Sequence, residues 1–425
     1  MNFVSTRKTA PALVFGEAVV AGLAADGGLY VPEKFPLFDF KTFSSKLTLE
    51  QTAEKIILPF VEPDPLKIFL GDLCRDAFNF PIPVEKLDES NWMMELFHGP
   101  TAAFKDVGAQ FLAGCISRIQ KTANRGPRTV MVATSGDTGG AVASAFHGKS
   151  GVEVMILFPK GMVSPFQEIQ LTAWGGNIHA FKVRGTFDDC QRIVKEAFLD
   201  PRLKEKNLIS ANSINIGRIL PQSVYYAWAS VQHFEKSKKL VNFIVPTGNL
   251  GNGLAAIWAK KIGFPIGKII LACNANKTIP QYFKTGVWQP QPTQNTLANA
   301  MDVGNPSNFE RLQNMYPQLD DLKKTTEAFS VSDGEIKETV KEAYRRWKRI
   351  ICPHTATGLY VRWKLPKDED SIVVATAHGA KFQSVVEPLI GTTIPSPPSL
   401  QRFQKLTGQS TEIDATLSSL ITSLP

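Results

Sequence analysis

Residues 129–146 read TVMVATSGDTGGAVASAF and combine a strand pattern with a helix pattern. Its first five residues are apolar or β-branched, as in a buried strand, and the part after Gly139 is rich in small apolar residues that suit a helix. Hydroxyl groups and glycines, from Thr134 to Gly136, separate the two parts. A strand that is followed so closely by a helix is the repeating unit of an α/β fold with parallel strands.

The same alternation of buried strands and helices extends outward from this stretch. Strands are predicted at 152–158, 178–183, 240–245, 268–273 and 372–377, and helices at 49–61, 188–198, 254–262 and after Ser164, which is placed as an N-cap. This order predicts parallel sheets flanked by helices. Residues 277–333 are more polar and weakly patterned, and we interpret them as a long excursion from the sheet rather than a domain.

Length and charge exclude several classes of protein. A chain of 425 residues is expected to form two or three domains, and 43% hydrophobic with 20% charged residues is typical of a globular protein. The net charge of +8 could indicate a nucleic-acid partner. However, the densest basic run, residues 341–349, shares a predicted helix with Val340, Ala343 and Trp347. It therefore indicates a solvated helix face, and no nucleic-acid partner is predicted.

The cysteines and the start of the chain bear on location. Five widely separated cysteines show no metal or redox spacing, so we expect free thiols in a reducing compartment and no metal site. The first ten residues lack the pattern of a signal peptide, and no apolar run approaches the roughly 18 residues of a membrane span. The cysteines are Cys74, Cys115, Cys190, Cys273 and Cys352. The expected free thiols, together with the lack of a signal peptide and of a membrane span, predict a cytoplasmic location without a membrane partner.

Lys105 is a candidate catalytic amine. It lies in ELFHGPTAAFKD (residues 95–106), and the residues on both sides of it are largely apolar. Burial lowers the pKa of a lysine and makes its amine a better nucleophile and base. The alternative is an ordinary solvated lysine, which the segment alone does not exclude.

Three other segments offer groups that bind anions. ATSGDTGG (133–140) and PTGNLGNGL (246–254) place hydroxyls, glycines and N–H groups where a strand gives way to a helix, although either could be a plain connecting turn. NSINIGR (212–218) adds the guanidinium of Arg218, which suits a phosphate unless it is a surface side chain. Residues 246–254 match neither GxGxxG nor a P-loop, so a monophosphate fits better than a dinucleotide. Together with Lys105, these segments suit a phosphorylated aldehyde cofactor and an anionic amino-acid substrate.

These segments resemble the motifs of the threonine synthase family and occur in the same order as in that family. Its members are fold-type-II pyridoxal-phosphate enzymes. The resemblance extends to DGGLYVPE (26–33), AMDVGNPSNFER (300–311), PHTATG (353–358) and ATAHGAKF (375–382), and so covers nearly the whole chain. It implies an α/β fold like that of the tryptophan synthase β-subunit. The expected parts are an N-terminal domain (1–93), a large cofactor-binding domain (94–128 and 225–425) and a small α/β domain (129–224).

The resemblance also implies roles for residues around the cofactor, pyridoxal 5'-phosphate. Lys105 would hold it as a Schiff base and later move protons. Asp137 would face its ring hydroxyl, and Thr376 its pyridine nitrogen. Backbone N–H groups would wrap the cofactor phosphate, and they belong to Gly248, Asn249, Leu250, Gly251 and Asn252.

A second set of residues would bind the substrate by the same resemblance. They are Thr134, Ser135 and Thr138 for the carboxylate and part of the phosphate, and Asn212, Ser213 and Arg218 for the phosphate. The family often has Phe at Leu250, Asp at Asn252 and Pro at Gly379. Asn252 is neutral where the family often has a negatively charged Asp. Of the implied roles, that of Asn252 near the cofactor phosphate is therefore the one most affected by these departures.

The implied reaction converts O-phospho-L-homoserine and water into L-threonine and phosphate, the last step of threonine biosynthesis. It proceeds by γ-elimination of phosphate and β-addition of water. The alternative is a phospho-lyase that gives 2-oxobutyrate, ammonia and phosphate. An intact Lys105 and an intact phosphate loop argue against a binding protein on this fold. The sequence does not distinguish a monomer from a homodimer, does not reveal allosteric control, and does not show whether the departing phosphate acts as a base.

Overall fold

The computed structural model describes residues 1–123 and 126–424. Its N-terminal part combines a two-stranded antiparallel sheet with three helices. The second helix begins and ends at the residues predicted, because Thr48 and Gln51 form a capping box at its start and a turn rich in proline follows its end. These elements are β1 (Phe3–Ser5), α1 (Phe15–Ala21), β2 (Tyr30–Pro32), α2 (Leu49–Val61) and α3 (Leu70–Ala77).

The middle of the chain alternates strands and helices, as the pattern predicts. Its elements are β3 (Val84–Lys86), β4 (Asn91–Glu95), α4 (Lys105–Ala123), β5 (Arg128–Ala133), α5 (Asp137–Phe146), β6 (Val152–Pro159), α6 (Pro165–Thr172), β7 (Ile178–Arg184), α7 (Phe187–Leu199), β8 (Leu208–Ser210), α8 (Ile216–Ile219) and α9 (Gln222–Ser237). Ser164 caps α6 as predicted and forms a capping box with Gln167.

The last part contributes both sheet strands and peripheral helices. Its elements are β9 (Val241–Pro246), α10 (Gly251–Lys261), β10 (Ile266–Cys273), α11 (Thr278–Thr285), α12 (Phe309–Met315), α13 (Leu319–Lys323), β11 (Thr326–Ser330), α14 (Asp333–Trp347), α15 (Pro353–Lys364), β12 (Ser371–Ala375), α16 (Gln383–Ile390), α17 (Pro398–Gln401), β13 (Thr411–Asp414) and α18 (Leu417–Thr422). Short 3₁₀ turns cover Phe40–Thr42, Pro65–Phe69, Pro201–Lys206, Asn299–Met301 and Gly379–Phe382.

Two larger sheets form the frame of the described part of the chain. The six-stranded sheet has the order β11-β10-β9-β12-β4-β3, and its neighbours are parallel except for the antiparallel pair β3 and β4. The five-stranded sheet has the order β13-β7-β6-β5-β8 and is parallel throughout. The predicted α/β architecture with parallel sheets is therefore confirmed.

Two sheets include strands from both sides of the predicted domain boundaries, which stay a prediction. β3 and most of β4 lie inside the predicted N-terminal domain (1–93) but belong to the six-stranded sheet. β13 lies in the part assigned to the large domain (225–425) but pairs with β7 of the five-stranded sheet. Only one of the four residues of β13 is buried, so no apolar run marks it, and ion pairs such as Lys160 with Glu412 help to hold it in place.

The predicted excursion at 277–333 is only partly correct. Its last residues form β11, which pairs in parallel with β10 as the edge strand of the six-stranded sheet. β11 contains Thr, Glu and Ser and is largely half-buried, which explains why the pattern was weak. The segment also contains three short helices, α11 to α13, and residues 286–308 between α11 and α12 have no regular structure apart from one 3₁₀ turn.

The basic run at 341–349 lies on and just after α14, as predicted. Val340 and Ala343 are buried, whereas Lys341 and Arg345 are exposed and form ion pairs with acidic residues of the same helix, at 2.8 and 2.6 Å. The solvated helix face is therefore confirmed. All five cysteines are buried free thiols, also as predicted.

No helix in residues 1–123 and 126–424 is both long and apolar enough to cross a membrane. The same residues contain no group of three His, Cys, Asp or Glu side chains placed to hold a metal ion.

Candidate active site

The polar segments singled out in the sequence follow the carboxyl ends of parallel strands. Residues 96–104 follow β4, residues 134–136 follow β5, residues 211–218 follow β8, residues 247–250 follow β9, and residues 376–382 follow β12. In open α/β sheets, ligands bind just outside this end of the strands. The chain therefore gathers its candidate site residues where this class of fold builds its sites.

Lys105 begins α4 and is largely withdrawn from solvent, with 12% of its side chain exposed and Nζ 3.8 Å from Oδ2 of Asp137. Burial, the largest influence, lowers the pKa of Lys105 to about 8. The Asp137 carboxylate opposes this shift, whereas the positive charges of Lys381 and Arg218 add to it. An amine with such a pKa has an appreciable neutral, nucleophilic fraction near pH 7, as a reactive lysine requires.

Asp137 is a buried carboxylate at the start of α5. Its Oδ1 lies 2.7 Å from Nζ of Lys381 and accepts a hydrogen bond of 2.9 Å from Gln167. Burial alone would raise the pKa of Asp137, but the ammonium groups of Lys381 and Lys105 hold it well below its ordinary value. Asp137 is thus ionised and accepts hydrogen bonds, so any ligand group that meets it must donate one.

Residues 134–138 join β5 to α5. The Thr134 hydroxyl accepts hydrogen bonds from the N–H groups of Gly136 and Gly139, both at 2.9 Å, and so shapes the turn itself. The half-buried hydroxyls of Ser135 and Thr138 have no partner in the described residues and are available to a ligand. Gly136 has φ +126°, and a Cβ there would lie 2.5 Å from Cδ of Gln167, so only glycine fits.

A second candidate anion-binding loop joins β9 to α10. In the described residues, none of the N–H groups from Gly248 to Gly253 is bonded to another protein group, and Leu254 makes the first bond of the helix. Leu250 has φ +65°, an uncommon conformation for a residue with a side chain. A Cβ on Gly248 would lie 2.6 Å from Cα of Met301, so the backbone passes too close for a side chain. This row of free donors at a helix N-terminus suits a phosphate.

Hydrogen bonds connect this loop to the segment that carries Arg218. The Asn249 amide donates to Oγ of Ser213 at 2.8 Å, and the Asn308 amide donates to the same Oγ at 3.0 Å. Asn308 also donates to the Asn249 carbonyl at 3.0 Å. Because Ser213 accepts from both amides, its hydroxyl hydrogen is left for a further acceptor such as an anion.

Arg218 is a buried guanidinium with unused hydrogen-bonding capacity. One terminal nitrogen donates to the Ala211 carbonyl at 2.5 Å, while Nε has no partner among the described residues. Arg311, also buried, uses all three guanidinium nitrogens on the protein and therefore acts as a structural brace. Burial lowers the pKa of Arg218 to about 10, so it remains a cation. The absence of a side chain at Gly108 of α4 lets the Arg218 backbone pack closely against this helix, since a Cβ at Gly108 would be 2.7 Å from the Arg218 carbonyl oxygen.

Asn212 and Asn252 have protein partners of their own. The Asn212 amide donates to the Ala133 carbonyl at 2.7 Å and accepts from the Ala133 N–H at 3.2 Å, which fixes the end of β5. Asn252 accepts hydrogen bonds from the hydroxyls of Tyr225 and Tyr226, both at 2.8 Å, while its Nδ2 is buried without a partner in the described residues. Direct contact of Asn212 with a ligand stays a prediction. Asn252 has one N–H donor group, Nδ2, that could still donate to a ligand.

Residues 96–104, the lysine loop, pack against the segment after β12. The Phe104 N–H donates to the Thr376 carbonyl at 2.8 Å, and Ala103 forms an antiparallel bridge with Ala377. This pairing places the buried Thr376 next to the start of α4, where Lys105 lies. Thr376 is thereby brought to the same site as the Lys105 amine, and no described residue bonds the Thr376 hydroxyl.

Sequence reasoning assigned no role to three buried polar residues of this site. Lys381 pairs with Asp137, Gln167 bonds the same carboxylate, and His354 accepts the Ala300 N–H at 3.0 Å with its Nε2. His354 and Lys381 lie in the PHTATG and ATAHGAKF segments, which entered only as part of the resemblance. The sequence signal that could have identified Lys381 as a buried functional lysine is its position within the mostly apolar segment ATAHGAKF.

Comparisons with known proteins agree with this geometry. Residues 80–377 match the family described as pyridoxal-phosphate dependent enzyme, and residues 2–78 match the one described as threonine synthase N terminus. The chain is 38% identical to the threonine synthase of Haemophilus influenzae over 97% of both proteins. The crystal structure of Escherichia coli threonine synthase superposes with a TM-score of 0.92 at 36% identity, covering 99% of each chain. The pyridoxal-phosphate-bound enzyme from Brucella melitensis gives 0.90 at 33% identity, covering 99% of this chain and 98% of its own.

Proposed function

Because the chain belongs to the threonine synthase family of pyridoxal-phosphate-dependent enzymes, we propose that this site converts O-phospho-L-homoserine and water into L-threonine and phosphate. The observation that carries the substrate assignment is the pair of adjoining anion sites beside Lys105. One is the row of free N–H groups after β9, and the other is the buried guanidinium of Arg218. A phosphorylated cofactor occupies only one of them, which leaves the other for a phosphorylated substrate.

The residues present fit the cofactor. The free N–H groups from Gly248 to Asn252 would hold its phosphate, and Lys105 would hold its aldehyde carbon covalently. Asp137 and Thr376 would face the ring. When bound, pyridoxal phosphate supplies an electron sink that stabilises negative charge on the carbon next to the substrate amino group.

Lys105 would move the protons of the reaction. Its neutral amine removes a proton from the substrate carbon, and the resulting ammonium is stabilised by the Asp137 carboxylate 3.8 Å away. A pKa of about 8 suits both directions of transfer near neutral pH. The reaction then requires loss of phosphate from the γ-carbon and addition of water at the β-carbon.

The charged ends of the substrate would be held by groups with free donors. Arg218 and the Ser213 hydroxyl would bind the phosphate, and the hydroxyls of Ser135 and Thr138 would bind the carboxylate. Thr134 and Asn212 would support these contacts by fixing the turn after β5 and the end of that strand. The buried free thiols suit a reducing compartment, so the proposal also places the enzyme in the cytoplasm.

A product assay tests this proposal. Purified protein loaded with pyridoxal phosphate is incubated with O-phospho-L-homoserine, and phosphate, threonine, 2-oxobutyrate and ammonia are measured together. We expect equal release of phosphate and threonine. Phosphate with 2-oxobutyrate and ammonia, but without threonine, would identify a phospho-lyase instead. No phosphate release would overturn the substrate assignment.

The lowered pKa of Lys105 predicts how cofactor uptake depends on pH. Only the neutral amine attacks an aldehyde, so the uptake rate is expected to rise about tenfold per pH unit below pH 8 and to level off above it. The measurement follows the visible absorbance of bound pyridoxal phosphate in cofactor-free protein between pH 6 and 10. Borohydride trapping and peptide mass spectrometry locate the modified lysine. A rate that keeps rising to pH 10 would contradict a lowered pKa.

A further inference from the structure

Lys381 is a buried lysine to which the proposed reaction assigns no step. It lies in the 3₁₀ turn after β12, and its side chain has no exposed surface. Its Nζ donates a hydrogen bond of 2.9 Å to the Thr101 carbonyl of the lysine loop and lies 2.7 Å from Oδ1 of Asp137. A buried ammonium costs considerable desolvation free energy, which only such close partners offset.

The two partners of Lys381 come from different sheets. Thr101 belongs to the lysine loop after β4 of the six-stranded sheet, whereas Asp137 begins α5 after β5 of the five-stranded sheet. Gln170 of α6 reaches the same Thr101 carbonyl, with a hydrogen bond of 3.2 Å. Lys381 is therefore part of a polar bridge between the loop that presents the reactive lysine and the turn that presents its carboxylate.

We propose that Lys381 is a positioning residue that acts on Lys105 both directly and through Asp137. Its ammonium neutralises the carboxylate, fixes it to the lysine loop and thereby sets how strongly Lys105 is held in its charged form. The proposal rests on Lys105 being the residue that carries the cofactor, as proposed above. Without Lys381, Lys105 is the only close cation left to Asp137 among the residues that the structure describes.

Asp137 and Lys381 lie side by side and have opposite electrostatic effects on Lys105. The Asp137 carboxylate raises the pKa of Lys105, whereas the Lys381 ammonium lowers it. Removing Lys381 alone is therefore expected to raise the pKa of Lys105, and removing Asp137 alone to lower it. Removing both leaves an amine whose pKa depends mainly on its burial and lies nearer the original value.

The other ionisable groups that influence Lys105 keep their charge in the pH range of interest. Burial lowers the pKa of Arg218 to about 10 and that of His354 to about 4, so the first is a cation and the second is neutral between pH 6 and 9. Burial raises the pKa of the Cys352 thiol, which stays protonated. Burial raises the pKa of Asp106, next in the chain, whereas its hydrogen bonds from Thr101 and the charge of Lys381 lower it. A shift in the titration of Lys105 is therefore not caused by a change of charge on Arg218, His354 or Cys352.

The test measures the pH midpoint of pyridoxal-phosphate uptake by Lys105 in four proteins: wild type, Lys381→Met, Asp137→Asn and the double variant. Lys381→Met should move the midpoint upward by about one pH unit and slow uptake at pH 7 by about tenfold. Asp137→Asn should move it downward, and the double variant should return towards wild type. Lys268→Met, which removes an exposed lysine paired with Glu327, should leave the midpoint unchanged.

Two comparisons decide the outcome even if one single variant does not fold. Wild type against Lys381→Met, or Asp137→Asn against the double variant, each isolates the effect of Lys381. An upward shift in either comparison supports the proposal, and no shift in both overturns it. An equal shift in Lys268→Met would also overturn it, because net charge would then be the cause. Uptake by wild type without any threonine formation would count against the proposed reaction but leave this inference standing.

Discussion

Lys105→Ala is expected to lower kcat by at least about a thousandfold, because the variant loses both the covalent attachment of the cofactor and the group that moves protons. The visible absorbance of the bound cofactor should change to that of free pyridoxal phosphate. The fold should persist, since Lys105 is at the start of α4 and Asp137 keeps Lys381 as a partner at 2.7 Å. A buried carboxylate without any cation would be costly, but this variant does not create one.

The control for this prediction is Lys268→Ala, which removes an exposed lysine of β10. It should retain the turnover and the spectrum of the wild type. Loss of turnover in Lys105→Ala can then be assigned to Lys105 itself rather than to the removal of any lysine. Circular dichroism and the thermal midpoint of unfolding of both variants establish that they are folded. Turnover of Lys105→Ala within tenfold of wild type would refute the central role of this lysine.

The fold was predictable from local patterns wherever a strand or helix carries a continuous apolar signal. α2 was placed to the residue, and β6 and β7 to within one residue at either end. Burial makes β6 nearly all apolar, and the buried positions of β7 are all apolar. β11 and β13 were missed because they are edge strands with polar residues, and β11 is largely half-buried while β13 is mostly exposed. Their pairing depends on neighbours far along the chain, which no local pattern reveals.

The candidate site was predictable in position but less so in detail. Glycines and hydroxyls after strands indicated the two anion-binding turns, and the structure shows free N–H groups in one of them. The same residue types also stabilise turns, so sequence could not tell that Thr134 bonds its own turn while Ser135 does not. Lys381 was missed because its significance comes from Asp137, which is 244 positions away and belongs to another sheet.

Two buried arginines, Arg218 and Arg311, illustrate how structure separates a candidate ligand-binding residue from a brace. Arg311 donates to the backbone of Tyr30, Ser213 and Ile214 and holds these segments together. Arg218 leaves its Nε without a partner among the described residues, and it lies against α4, which begins with Lys105. A buried donor that the protein itself does not satisfy is expected to meet a ligand.

Arg218→Ala is therefore expected to lower kcat/KM for O-phospho-L-homoserine by about 10- to 150-fold, corresponding to about 1.5–3 kcal/mol for a charged hydrogen bond. Inhibition by the product phosphate should weaken by a similar factor, because both anions use the same guanidinium. Arg218→Lys keeps the charge but not the fork of donors, so it should fall between wild type and Arg218→Ala.

The cofactor spectrum distinguishes the two phosphates that Arg218 could serve. If Arg218 binds the substrate, the variant retains the visible absorbance and the cofactor affinity of wild type while phosphate inhibition weakens. If it bound the cofactor instead, cofactor affinity would fall and phosphate inhibition would not change selectively. Unchanged kinetics in Arg218→Ala would mean that the buried guanidinium only braces the segment after β8, as Arg311 does beside it, and the second anion site would have to be sought among Ser135, Thr138 and Ser213.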